Sequence, residues 1–202
     1  QRANQDYEQA LAITDNRPVS AAVSLERARA FFLHGMVFKD LGDFRLAARS
    51  LEQSLLIDYS TEWTGQTLET LVEVYARLGS DLDLQRLDDL IRQNPQSPIP
   101  YFSRGLAYSQ LERFEQAVLD FDKSKALGLG NAEVFAARGS AYAALGNAAN
   151  AGKNFRTAIS TEPQNARFHA YLGVLYRHRD PEEAMRVLNK AISLDPNYAP
   201  AY

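Results

Sequence analysis

The 202-residue chain has no cysteine, which excludes disulfides, thiolate zinc sites and a cysteine nucleophile while leaving oxidising and reducing compartments equally open. Histidine, methionine and tryptophan are scarce at three, two and one. No apolar run approaches the ~18 residues that a bilayer crossing needs. The richest stretch, Phe31 to Phe38, is interrupted by His34 and Gly35, so direct membrane insertion is not expected and the segment reads as soluble, cytoplasmic or bacterial periplasmic. The opening QRANQDYEQA has no basic start followed by an apolar stretch, hence no visible signal peptide, although an upstream one is compatible with these residues. Charge of one sign is also lacking. Lys plus Arg number 22 against 25 Asp plus Glu, a net charge of −3, so the electrostatic footprint for nucleic acid is missing and no nucleic-acid partner is expected.

What is present is apolar material, 46% of the chain against 23% charged, enough for a sizeable core. It is laid out periodically. RGLAYSQLERFEQAVLDF from Arg104 aligns with RGSAYAALGNAANAGKNF from Arg138, and Gly105, Gly139 and Gly173 recur at 34-residue intervals. HGMVFKDLGDFRLAARSL places Gly35, Phe38, Leu41, Gly42, Phe44, Ala47 and Leu51 in the same slots of an earlier copy. A degraded copy, LVEVYARLGSDLDL, keeps Leu71, Val72, Tyr75, Leu78 and Gly79 in register.

These residues resemble the tetratricopeptide repeat, whose 34-residue unit carries Leu-Gly, Tyr, a second Gly, Ala, an aromatic, Ala and Pro at fixed offsets. The resemblance implies an all-α, right-handed superhelical solenoid of antiparallel helix pairs. The frames are 28–61, 65–97 (degenerate), 98–131, 132–165 and 166–198, with a partial preceding repeat and lead-in helix over 1–27 and the start of a truncated repeat over 199–202. The periodicity supports this independently. Tyr101, Arg104, Gly105, Tyr108 and Leu111 form one stripe of a first helix, and Ala117, Phe121, Ser124 and Leu127 one of a second. Small residues at Gly105 and Ala117 let the two backbones approach, with Tyr108 and Phe121 filling the space beside them.

Punctuation agrees. Pro163 and Pro196 follow second helices, Gly128, Gly130 and Asn131 suit a helix C-cap, and Pro181 opens a second helix at its first turn. Tyr59 to Gly65 carries three extra residues and predicts a longer loop with Trp63 exposed. Asp6 to Leu11 reads as the start of a second helix, Asn16-Arg17-Pro18 as its break, and Ser20 as the cap of a long helix running to about Asp40. Both ends look cut, as in a fragment of a longer repeat protein.

Catalytic chemistry finds little material. His34 and His169 fall on packing faces and read as satisfied core histidines; His178, between Arg177 and Arg179, reads as solvated. No pair of histidines has zinc spacing, and the GLG at Gly128 to Gly130 follows a helix and has no Lys-Ser/Thr behind it. No enzyme activity, metal or cofactor is expected.

A groove is the better prospect, because first helices line the concave surface of such stacks. The resemblance implies contacts at first-helix positions 2, 5, 9, 12 and 13. In the first copy these include Arg29, Phe32, Met36 and Lys39, and in the second Glu69, Glu73, Ala76 and Arg77. The third offers Phe102, Leu106 and Ser109, the fourth Ser140 among alanines including Ala144, and the fifth Arg167, Val174, Arg177 and His178. Phe32, Met36, Phe102 and Leu106 are expected as exposed apolar anchors, with Arg167, Arg177, Glu69 and Glu73 orienting a partner. The family's clamp for chaperone C-terminal tails needs lysine and asparagine where this chain has Phe32, Met36, Thr70, Ile99 and Ser103, so chaperone tails are disfavoured. The leading expectation is a protein-interaction scaffold binding a helix or extended peptide. The alternatives are a spacer that self-associates, as in an export or envelope protein, and an accessory domain of a larger enzyme.

Overall fold

The computed structural model describes residues 21–78 and 84–198, and every regular element among them is an α-helix. In chain order these are α1 (Ala21–Asp40), α2 (Phe44–Ile57), α3 (Thr64–Leu78), α4 (Leu84–Gln93) and α5 (Pro98–Gln110), followed by α6 (Phe114–Ala126), α7 (Ala132–Ala144), α8 (Ala148–Thr161), α9 (Ala166–Tyr176) and α10 (Pro181–Leu194). Two compact units divide between Arg86 and Leu87, within α4. In the first, α1 packs on α2, α2 on α3, and α1 also reaches α3. In the second, each of α5 to α10 packs on the next, with α5–α7 and α7–α9 contacts one helix further on. The expected features over residues 1–20, at Gly79 and over 199–202 lie outside the described residues.

Short turns force each pair to fold back, and their chemistry is local. Gly42 (φ 78°) and Gly146 (φ 73°) take the left-handed conformation that glycine adopts without a Cβ penalty. The equivalent turn between α5 and α6 uses Glu112 at φ 56°, a costly choice for a side-chain-bearing residue. The next helix is then capped: Asp43 accepts from the Leu46 N–H, Asn147 from the Asn150 N–H and Asp180 from the Glu183 N–H. Pro181 sits in the first turn of α10, where its missing N–H costs nothing. At the end of α6 only Gly128 of the expected trio is left-handed, at φ 104°. Asn131 (φ −76°) instead precedes α7 as its N-cap.

Within four of the pairs one glycine sets the spacing. A Cβ on Gly35 would lie 2.6 Å from Leu51, on Gly105 2.6 Å from Phe121, on Gly139 2.7 Å from Phe155, and on Gly173 2.5 Å from Leu188. No real Cβ tolerates such contacts, so glycine is what lets a large second-helix side chain lie flat on the first helix. The tryptophan departs from expectation. Trp63 is half-buried rather than exposed, and its indole Nε1 is out of solvent with no protein partner, because α3 starts at Thr64 directly behind it.

Candidate partner-binding faces

The first helices of the second unit do not present the anchors the sequence suggested. Phe102 is fully buried and Leu106 only 5% exposed. Phe102 packs on Phe121 with ring centroids 5.8 Å apart, so both residues belong to the core and neither can be an exposed anchor. The physical reason is the close approach at Gly105: the ring of Phe121 fills the space between the helices and Phe102 closes over it. Positions 2 and 5 of the neighbouring first helices are also internal, with Glu133, Ala136 and Ala170 all buried, Ala136 against Ala158 and Phe168 and Ala170 against Ala191. Arg167 is half-buried and ion-paired to Glu133, which engages that guanidinium within the fold instead of offering it to a partner.

The expected partner positions that remain outside lie in the C-terminal half of each first helix or just past its end. Ser109 is half-buried, Ser140 and Ala144 are exposed, and Val174, Arg177 and His178 are exposed at the end of α9. Ser109 and Ser140 donate to the Gly105 and Ala136 carbonyls of their own helices, a back-bond that occupies the hydroxyl hydrogen.

In the first unit Arg29 is exposed and Phe32 and Met36 are half-buried; Thr70 Oγ1 lies 3.6 Å from the Met36 sulfur. Lys39 Nζ donates to Glu73 Oε2 at 3.1 Å. Around that pair opens a cleft of about 440 Å³ lined by Lys39, Phe44, Glu73, Val74, Ala76 and Arg77. A second hollow, sharing Phe44 and Arg77, continues along the α1–α2 turn past Leu41 and Asp43. Arg77 is exposed on the last turn of α3 and has no ion pair among the described residues. The cleft therefore offers an aromatic wall and a positive charge side by side, a combination suited to a side chain with an apolar body and a polar end. Phe44 was not foreseen as lining, since it opens a second helix.

A register unites these contacts. Lys39–Glu73, Met36–Thr70, Glu52–Arg86 and Glu133–Arg167 each join residues 34 apart. Opposite charges at the repeat interval were a signal the sequence carried. Glu52, almost fully buried, accepts from Tyr75 Oη at 2.6 Å and from Arg86 at 2.7 Å, so two strong bonds offset the burial of its charge.

The histidines form no site. His169 Nε2 lies 2.9 Å from the Pro163 carbonyl oxygen and His178 is exposed. His34 keeps its Nδ1 buried without a partner, so it is not the satisfied core histidine expected. Among the described residues no group of three or more His, Asp or Glu is placed to hold a metal, and no helix is long and apolar enough to cross a membrane.

Comparison with known proteins places this geometry. Family models described as tetratricopeptide repeat match residues 136–199 and residues 28–61 and 100–127, together more than half of the chain. The chain is 24% identical over 99 residues to the photosystem I assembly protein Ycf3 of Prochlorococcus marinus, covering 48% of this chain; it spans 57% of that relative's length. Among solved structures, the thermophilic repeat protein TTC0263 of Thermus thermophilus superposes with a TM-score of 0.63 at 21% identity, covering 86% of this chain and 94% of the other. YrrB, described as having an unusual peptide-binding site, gives 0.54 at 17% identity over 85% and 88%. The first repeat domain of Spaghetti (RPAP3), bound to an HSP90 peptide, gives 0.50 at 20% identity over 52% and 85%.

Proposed function

Because this chain belongs to the tetratricopeptide-repeat family, we propose that it is a protein-interaction scaffold that takes a partner helix or extended peptide on the exposed parts of its first helices. The observation that carries this reading is the cleft of about 440 Å³ between α1 and α3. Its lining includes Lys39 and Glu73, at positions where the family's ligands sit, and adds Phe44 as an apolar wall. Peptide-bound and peptide-binding relatives of the same fold support it. The Ycf3 relative is an assembly protein by name, in keeping with a scaffold.

The test is selection of peptides from a random display library on the full chain, followed by titration against Arg77→Glu and Ala76→Trp, the second of which fills the cleft. Both variants alter exposed side chains and should leave the fold intact by circular dichroism. We expect the selected peptides to bind the wild type and to lose at least tenfold in affinity with either variant, about 1.4 kcal/mol. Peptides indifferent to both variants would exclude the cleft.

A second reading, self-association as a spacer, is favoured by Leu33 and Val37, large exposed residues one turn apart on one side of α1, with Leu41 exposed just past its end. Light scattering of wild type against Leu33→Glu/Val37→Glu separates the two. A concentration-dependent dimer abolished by these changes supports the spacer, and a monomer in both removes it.

A further inference from the structure

We infer that the exposed end of α9 selects an acidic partner segment, with Arg177 and Arg179 as its recognition charges and His178 between them; this rests on the scaffold reading above and names the chemistry of one partner. The three residues are consecutive and all exposed. Among the described residues none of the three makes an ion pair or a side-chain hydrogen bond, whereas Arg104, Arg138, Arg156, Arg167 and Arg186 in the same unit are all engaged within the fold. The nearby carboxylates are committed elsewhere: Asp180 caps α10 through the Glu183 N–H, and Glu183 binds Arg186. Glu182 is exposed on the first turn of α10 and makes no ion pair among the described residues.

The surface beside these charges is shaped for close approach. Val174 is 48% exposed on the last turn of α9, and the Arg177 N–H that closes this turn bonds its carbonyl. The bond between Glu133 and Arg167, 34 residues apart, fixes the register in which α7 and α9 lie together. Ser140 and Ala144, both exposed on α7, precede Val174 and His178 by the same 34-residue interval. A partner backbone can therefore approach over serine and alanine while its carboxylates reach the cations at the rim. Charges at such a rim govern choice of partner and association rate, and their effect is screened by salt. A basic helix would meet repulsion there.

The probes are a fluorescein-labelled amphipathic helix with glutamates on its polar face, its glutamine and lysine counterparts, and a short DNA duplex, each titrated by anisotropy against the full chain. The acidic helix is expected to bind at least tenfold more tightly than the glutamine version and to weaken as salt rises from about 50 to about 300 mM. Arg177→Glu/Arg179→Glu should abolish that preference and Arg177→Gln/Arg179→Gln should reduce it, while the exposed control Lys190→Glu on α10 leaves it unchanged. Equal binding of the acidic and glutamine helices overturns the inference, as does duplex DNA bound as tightly as the acidic helix. Library-selected peptides that bind the wild type and both Arg177/Arg179 variants equally would overturn it while leaving the scaffold reading standing; binding of no peptide of any charge overturns both.

Discussion

Arg104 grips Asp120 with two parallel bonds, Nε to Oδ2 at 2.7 Å and a terminal nitrogen to Oδ1 at 2.8 Å, while its other terminal nitrogen reaches Asp88 at 2.7 Å. The hydrogen bond to Asp120 leads the effects that raise the guanidinium further above its ordinary pKa, so its charge is permanent. One pair on, Arg138 repeats the device with Asn154 at 3.1 Å and Asp122 at 2.6 Å. Each arginine thus ties the second helix of its own pair to a carboxylate from the preceding helix, α4 or α6. Arg104→Met should cost about 3 kcal/mol in urea unfolding, because Asp120 is left nearly buried without a counter-charge. Adding Asp120→Leu should recover most of that loss; a double variant as unstable as the single one would contradict the pairing.

The glycine slot gives a second expectation. Gly105→Ala brings a methyl to within 2.6 Å of the Phe121 ring and should destabilise by about 1–3 kcal/mol. Combined with Phe121→Leu, the alanine should cost less than it does alone, a coupling read from a double-mutant cycle.

Glu112 offers the opposite sign. Its left-handed φ of 56° stands where the equivalent turns have Gly42 and Gly146, so Glu112→Gly should stabilise by about 0.5–1 kcal/mol despite the extra freedom glycine gives the unfolded chain. Thermal unfolding would show a raised midpoint.

The turn after α2 carries a pH signature. Asp58 is held below its ordinary pKa of 3.8, first by the Ser60 hydroxyl and then by the Ser60 N–H, at 2.6 and 2.8 Å. A depressed carboxylate contributes stability that is fully present above its unfolded pKa and is lost as pH falls through the lowered folded value. Ser60→Ala removes the larger cause and should move the Asp58 titration, followed by NMR, back towards 3.8 without reaching it.

The helical repeat was legible because its signals are redundant: glycine at Gly35, Gly105, Gly139 and Gly173, and caps or prolines at several boundaries, all point to one pairing. Side-chain exposure was not. Phe102 and Leu106 carry the same apolar label whether they anchor a partner or close a core, and only the depth of Phe121 against Gly105 decides it. Trp63 misled for the related reason that extra loop residues say nothing about which way an indole turns. More could have been read. The slots holding Arg104 with Asp120 and Arg138 with Asn154 hold Leu172 with Val187 in the last pair, where both join one apolar cluster. In the first pair they hold His34 and Ser50, each with a buried polar atom lacking a partner. Matched polarity across these slots is a contact signal visible within one chain.

Docking of a partner on the exposed parts of the first helices can be followed by chemical-shift mapping of the labelled full chain with a library-selected peptide. Perturbations are expected to concentrate at Lys39, Glu73, Ala76 and Arg77, or at Ser140, Val174 and Arg177. Perturbations centred instead on second-helix outer residues such as Leu119 and Met185, both more than 60% exposed, would contradict it.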